Sequence, residues 1–191
     1  LLSLLRSGEM QEVMEEMSPD DRARLFEELP AKVVRQLLDQ LSPEERKVTA
    51  ELLGYEAETA GRLMTTEYIA LKENHTAQGA LDIVRRRARD TETIYSLYVT
   101  DAERRLTGIL SLRDLVTADP LAEIREVMTE EVLSVRTDTD QEMVARTIQR
   151  YDFLAVPVVD LEQRLVGIVT VDDVIDVIEQ EATRDLYAAG A

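Results

Sequence analysis

The chain has 191 residues, 45% of them hydrophobic and 32% charged, the balance of a folded, water-exposed protein with one large core or two small ones. Thirty-nine acidic against 22 basic residues leave a net charge of −17, which disfavours nucleic-acid phosphates and anionic lipid head groups and favours cations or basic partners. With no cysteine and a single histidine, His75, the chain excludes disulfides, thiolate sites and multi-histidine metal centres, and offers little for a Ser-His-Asp triad.

The chain opens Leu-Leu-Ser, without Met and without the segments of a secretory signal, and reads as a piece of something longer. Residues 1–53 read as short helices in series, because Val13, Met14 and Met17, then Leu25, Phe26 and Leu29, recur three or four apart. Ser18-Pro19-Asp20-Asp21 and Ser42-Pro43-Glu44-Glu45 each offer an N-cap hydroxyl, a proline at the first helical position and an acid two residues on. Pro30 starts another helix between them, so the segment predicts a small all-α helical repeat whose short helices need stacked neighbours. Met10, Met14 and Met17 are expected in its core. A linker helix is expected over 54–61.

From about residue 62 short strands alternate with helices, and the segment repeats itself. Leu63-Met64-Thr65 matches Val127-Met128-Thr129 at a lag of 64, and Gly108-Ile109-Leu110-Ser111 matches Gly167-Ile168-Val169-Thr170 at a lag of 59. The first copy therefore carries five extra residues, expected near Ala88 to Thr93. Each copy reads β-α-β-β-α, over 62–124 and 125–180, with strands expected at Tyr68 to Leu71, Ile94 to Thr100 and Leu106 to Ser111 in the first and at Val132 to Val135, Ala155 to Val159 and Leu165 to Thr170 in the second, and with an outgoing helix starting at 181–191. Units this small are marginal alone and are expected to pack sheet against sheet. The longest apolar stretches, such as Phe153 to Val159, last about seven residues, against the roughly 20 of a membrane-spanning helix.

Each copy ends on a hydroxyl at a strand-to-helix junction with an acid three residues on, the pattern of a capping box. At Ser111 and Asp114, with Arg113 beside them, the same groups suit an anionic nucleotide at the helix N-terminus, and both readings stand. In the second copy the hydroxyl is followed by Asp172, Asp173, Asp176, Glu179, Glu181 and Asp185. Spacings of three and four gather Asp172, Asp176 and Glu179 on one helix face, with Asp173 beside them. Such a run is either a solvated acidic face or a set of oxygen ligands for a hard divalent cation. Arg85-Arg86-Arg87 reads as a solvated helix face, and His75 as a loop or cap residue.

The tails Gly108 to Asp114 and Gly167 to Asp173 resemble a CBS pair. The helical segment in front, with Leu63-Met64-Thr65, Glu92-Thr93-Ile94-Tyr95, Ser111-Leu112-Arg113-Asp114-Leu115, Arg136-Thr137-Asp138-Thr139-Asp140-Gln141 and Tyr151-Asp152-Phe153, resembles the MgtE family of magnesium channels and transporters. That resemblance implies a layout: a helical N domain (1–53 here, incomplete), two CBS modules, and a connecting helix toward a membrane domain, assembled as a homodimer through the CBS modules. It implies regulatory Mg²⁺ at Glu142, Asp152, Asp173, Glu181 and Asp185, with Asp20 or Asp21 from the helical domain; Asp176 joins them by its place on the acidic face. It also implies ATP, at Ser111, Arg113, Asp114 and Phe153. Three positions depart from the family pattern: Ser96 stands where an aromatic is expected, and Arg24 and Arg184 stand where acids are expected.

The resulting expectation is an α/β chain of tandem CBS modules behind a helical domain, without catalytic activity. It would sense Mg²⁺ at the cytoplasmic side of the cell membrane, gating a transporter by cation-bridged closure, with no nucleic-acid partner and no membrane insertion of its own. An adenine-nucleotide sensor regulating another protein is the alternative, and a scaffold for a protein partner the third.

Overall fold

The computed structural model describes residues 7–175, 177 and 178. Four helices come first: α1 (Ser7–Glu16), α2 (Pro19–Glu27), α3 (Ala31–Leu38) and α4 (Pro43–Leu53). Both Ser-Pro steps start helices as expected, with Pro19 and Pro43 in the first turn. Ser42 caps α4 by accepting from the Glu45 amide at 3.3 Å. Ser18 does not cap α2; its hydroxyl turns to the Asp20 carboxylate. Met14, Phe26, Leu37 and Leu41 form the core of this domain, with Met10 and Met17 packed against it.

The linker helix expected over 54–61 is replaced by turns up to Thr59. Glu58 takes a left-handed conformation (φ 61°) and the Thr59 hydroxyl donates to Glu56 O at 2.7 Å, a local bond that competes with helix. A short helix, α5 (Ala60–Leu63), follows.

The first β-α-β-β-α unit comprises β1 (Ala70–Lys72), α6 (Ala77–Arg87), β2 (Ser96–Thr100), β3 (Leu106–Ser111) and α7 (Leu112–Thr117). A second short helix, α8 (Ile124–Val127), opens the next unit: β4 (Val135–Arg136), α9 (Gln141–Tyr151), β5 (Ala155–Val159) and β6 (Leu165–Thr170), with residues 171–175 helical beyond it. In each unit the first strand runs parallel to the second and the second antiparallel to the third. The first strands are shorter than expected and shifted towards the C-terminus, Ala70–Lys72 against 68–71 and Val135–Arg136 against 132–135. The five extra residues of the first unit fall where the lag change put them. Eight residues, Ala88 to Tyr95, join α6 to β2, where three, Asp152 to Leu154, join α9 to β5.

The two units exchange their entry segments. Thr65 forms a reciprocal pair of backbone hydrogen bonds with Ile168 on β6 (2.8 and 3.0 Å), and Thr129 forms the same pair with Ile109 on β3 (2.9 and 2.8 Å). Close approach there needs glycine: a Cβ on Gly167 would stand 2.5 Å from Met64 Sδ, and one on Gly108 would meet the Met128 side chain. The repeated Met-Thr and Gly-Ile signatures are thus the two halves of one contact, made twice. Between the sheets lies a small core of Tyr98, Ala155, Leu165 and Ile168.

The helical domain does not stand apart. Ala23 of α2 and Leu52 of α4 share a core with Val144, Ile148, Val156, Val174 and Val177 of the second unit, while Ile69, Leu71, Leu97, Val99 and Leu110 form the separate core of the first. Arg62 ties the turn down: Nε donates to Leu52 O at 3.0 Å, Nη2 to Leu53 O at 2.8 Å and Tyr55 O at 2.5 Å, and Nη1 pairs with Glu27. Leu52 and Leu53 end α4 and Tyr55 follows its C-cap, so the guanidinium sits at a helix C-terminus, a favourable place for a cation.

Candidate metal centre between the helical domain and the second unit

Two helix N-termini converge beside the shared core. α2 brings Asp20 and Asp21 in its first turn, and the helix after β6 brings Asp173 three residues beyond Thr170. Carboxylates are favoured at such termini by the free N–H groups and the helix dipole, which is a local reason for each acid to be there. It is no reason for the three to meet. One carboxylate oxygen from each of Asp20, Asp21 and Asp173 nevertheless lies within 4.8 Å of the others.

Asp20 is 5% exposed, and its Oδ1 has no hydrogen-bond partner among the described residues. Burial first, and the neighbouring Asp173 charge second, push its carboxyl up to about 7, against smaller opposing effects of a backbone amide and the Ser18 hydroxyl. Asp173 is 9% exposed, and both its oxygens are engaged. Oδ2 accepts from the Thr170 hydroxyl at 2.7 Å, and Oδ1 accepts from Arg24 Nη2 at 3.0 Å. Arg24 Nη1 also lies 3.9 Å from Asp21 Oδ1.

The first unit adds to the negative field. Glu92, on the eight-residue connection before β2, is anchored by its amide to Glu67 O at 2.9 Å. Its carboxyl is raised by desolvation and then by the charges of Asp173, Asp21 and Asp172. Glu67 is raised by desolvation and by Glu92 and Glu45, with the Arg22 charge opposing. Arg22 itself is buried in the helical domain, held by Glu45 Oε2 at 2.5 Å, Thr49 Oγ1 at 3.0 Å and Met17 O at 2.8 Å. A cleft of about 270 Å³ opens beside the cluster, lined by Asp20, Arg24, Glu27, Arg62, Gln141 and Asp173 among others.

The residue chemistry suits a hard divalent ion. Mg²⁺ takes oxygen ligands at about 2.1 Å in an octahedron, so adjacent ligands sit about 3 Å apart and opposite ones about 4.2 Å. Oxygens within 4.8 Å of one another are close enough for one ion to be shared by the three carboxylates, directly or through a retained water.

The remaining expected ligands are placed elsewhere or lie outside the described residues. Glu142 is exposed in the first turn of α9, 3.2 Å from Arg146. Asp152 is exposed at the α9 C-cap in a left-handed conformation, φ 52°. Neither is among the three acids that meet. Asp176, Glu181, Arg184 and Asp185 fall outside the described residues. Two features escaped the sequence reading: the Arg24–Asp173 pair, which spans 149 positions, and the approach of Glu92. Glu92 is marked in the sequence only by its place in the extra residues of the first unit and in the Glu92-Thr93-Ile94-Tyr95 segment of the family resemblance, neither of which puts it beside the acids.

At the other junction Ser111 and Asp114 form the full capping box of α7. Asp114 N donates to Ser111 Oγ at 3.0 Å and Ser111 N to Asp114 Oδ2 at 3.2 Å; the Ser111 hydroxyl, donating to Asp114 Oδ2 at 2.6 Å, and then the Ser111 amide hold the Asp114 carboxyl below its ordinary range. Arg113 is exposed beside them, Ser96 faces Ser111 across the β2–β3 ladder, and Phe153 stacks on Tyr151 at 5.5 Å.

Residues 1–58 match the family described as MgtE intracellular N domain, and residues 60–120 and 124–180 match the CBS domain family. The magnesium transporter MgtE of Thermus thermophilus is 54% identical over 157 residues, which is 82% of this chain and 35% of that protein. The Bacillus subtilis magnesium transporter MgtE is 42% identical over 172 residues, 90% of this chain and 38% of that protein. The chain thus spans about a third of the length of these curated relatives. A crystal structure of the cytosolic domain of the Mg²⁺ channel MgtE in complex with ATP superposes with a TM-score of 0.90 at 48% identity, covering 92% of this chain and 72% of that one. The soluble part of a magnesium transporter gives 0.92 at 44%, covering 95% and 71%. The matched modules are regulatory rather than enzymatic. Among the described residues no helix is long and apolar enough to cross a membrane.

Proposed function

The chain belongs to the MgtE family, in its intracellular N domain and CBS pair, and we propose that it is a cytoplasmic Mg²⁺ sensor that gates the membrane domain of a magnesium transporter. The observation that carries this reading is the meeting of Asp20 and Asp21 from one module with Asp173 from another. Three carboxylates at that range repel in a medium of reduced dielectric, so their modules separate unless a cation lies between them. A divalent ion gains affinity from the closed arrangement that it lacks for the open one, which is the condition for a ligand to shift a conformational equilibrium.

Asp20, Asp21 and Asp173 would hold the ion, with waters completing its shell. Glu142, Asp152, Asp176, Glu181 and Asp185 are proposed to add weaker sites along the outgoing helix and at a partner copy. Exposed apolar side chains on the CBS modules, Met143 and Tyr151 on α9 with Ile175 and Ile178 beyond β6, support a homodimer formed there. Low-charge sites of this kind bind in the millimolar range.

The test is a Mg²⁺ titration of the chain followed by its radius of gyration. Compaction with a midpoint of roughly 1 mM is expected, and Asp173→Asn is expected to abolish it; an unchanged radius up to about 20 mM would refute the sensor. A nucleotide comes second. The relative crystallised with ATP and the exposed Ser111–Arg113–Asp114 junction favour ATP as a further ligand, which calorimetry with ATP and Mg²⁺ separately distinguishes.

A further inference from the structure

We propose that Arg24 is a tethered counter-ion that occupies the metal centre's place on Asp173 when the cation is absent, so that Mg²⁺ binds by displacing it. This inference rests on the proposed sensor reading and deepens it. Asp173 has two carboxylate oxygens, and neither is idle: Oδ2 accepts from the Thr170 hydroxyl and Oδ1 from Arg24 Nη2. A cation that uses Asp173 in its inner shell must therefore dislodge one of them. The Thr170 bond is buried and belongs to the strand-to-helix junction, whereas Arg24 is 31% exposed and has room to swing into solvent. Arg24 is the partner that yields.

The unsatisfied Asp20 Oδ1 points to the same division of labour. Arg24 lies within 4 Å of Asp21 and Asp173, and Asp20, nine-tenths buried, keeps one oxygen without a hydrogen-bond partner among the described residues. One guanidinium neutralises one charge of three; a divalent ion neutralises two. The pair also joins α2 to the second unit across 149 positions, so in the metal-free protein it opposes the repulsion that would part them. Arg24 thus does two things at once. It holds part of the closed form without metal, and it weakens Mg²⁺ by competing for Asp173 and by placing a positive charge beside the ion.

Removing that charge has a signature no merely structural residue would give. In Arg24→Gln the metal-free protein should open further, while Mg²⁺ binding to the closed form, obtained by dividing out the closed fraction that the interdomain distance reads, tightens roughly three- to tenfold given a unit charge a few ångströms away and partly screened. Arg24→Lys, which keeps the charge, should stay near wild type in both. Because the chain holds no cysteine, Lys32→Cys on α3 and Arg86→Cys on α6 provide a clean label pair for the interdomain distance, read beside calorimetric Mg²⁺ affinity. A longer metal-free distance together with tighter Mg²⁺ binding to the closed form in Arg24→Gln supports the proposal. Unchanged or weaker Mg²⁺ binding to the closed form of Arg24→Gln, with a normal wild-type response, overturns this inference and leaves the sensor standing. A wild type whose distance ignores Mg²⁺ overturns the sensor itself, and the competition with it.

Discussion

Gly108 and Gly167 occupy equivalent places in the two units, yet their surroundings predict unequal consequences of the same substitution. The three atoms nearest an added Cβ at Gly108 all belong to the side chain of Met128, whose close Sδ and Cγ can rotate away. At Gly167 it would meet Met64 Sδ and Cγ and also Thr65 O at 2.8 Å, a backbone atom held in place by its bond from Ile168. Overpacking of this kind costs about 1–3 kcal/mol, so Gly108→Ala should fall near the lower figure and Gly167→Ala near the upper. Urea unfolding of the two variants measures the difference, and equal losses would show that the entry segments are not locked as described.

Helix termini decide the chemistry at the next scale. α2 and the helix beyond β6 each place acids in a first turn, where the sequence pattern alone marked them, and the strands from Leu106, Ala155 and Leu165 begin where the hydrophobic pattern begins. The duplication was legible because two fixed lags survive in it. The exchange of entry segments was not, since a reciprocal bond between Thr65 and Ile168 leaves no local periodicity. For the same reason Asp20, Asp21 and Asp173 could be nominated as acids but not as neighbours, and Arg24 could be noted but not paired. The linker failed differently: the Thr59–Glu56 turn and a left-handed Glu58 break a helix that composition allowed.

Asp20 makes that terminus sensitive to pH. Its carboxyl titrates near 4 when unfolded and at about 7 in the fold, so the fold binds a proton the unfolded chain does not. The stabilisation this gives is complete below about pH 4 and is lost as pH rises towards 7, in the metal-free protein. Mg²⁺ requires the deprotonated form, so its stabilising effect should run the opposite way and be larger at pH 8 than at pH 6. Thermal unfolding with EDTA and with 10 mM Mg²⁺ at both values, roughly ten times the expected midpoint, checks the sign. Asp20→Asn should remove most of the pH dependence.

For the whole molecule the balance is between a shared apolar core and a shared negative field. Ala23 and Leu52 pack with Val174 and Val177 and draw the helical domain onto the second unit, while Asp20, Asp21, Asp173 and Glu92 push at its edge. The proposed sensor requires the two to lie close in energy, because a few kcal/mol from weak cation sites has to reverse the populations. Crystals grown with Mn²⁺ in place of Mg²⁺, and the anomalous scattering of that ion, test this most directly. The account predicts a peak between Asp20, Asp21 and Asp173 with Arg24 turned away from Asp173; a closed domain arrangement with manganese bound only elsewhere, and Arg24 still on Asp173, would contradict it.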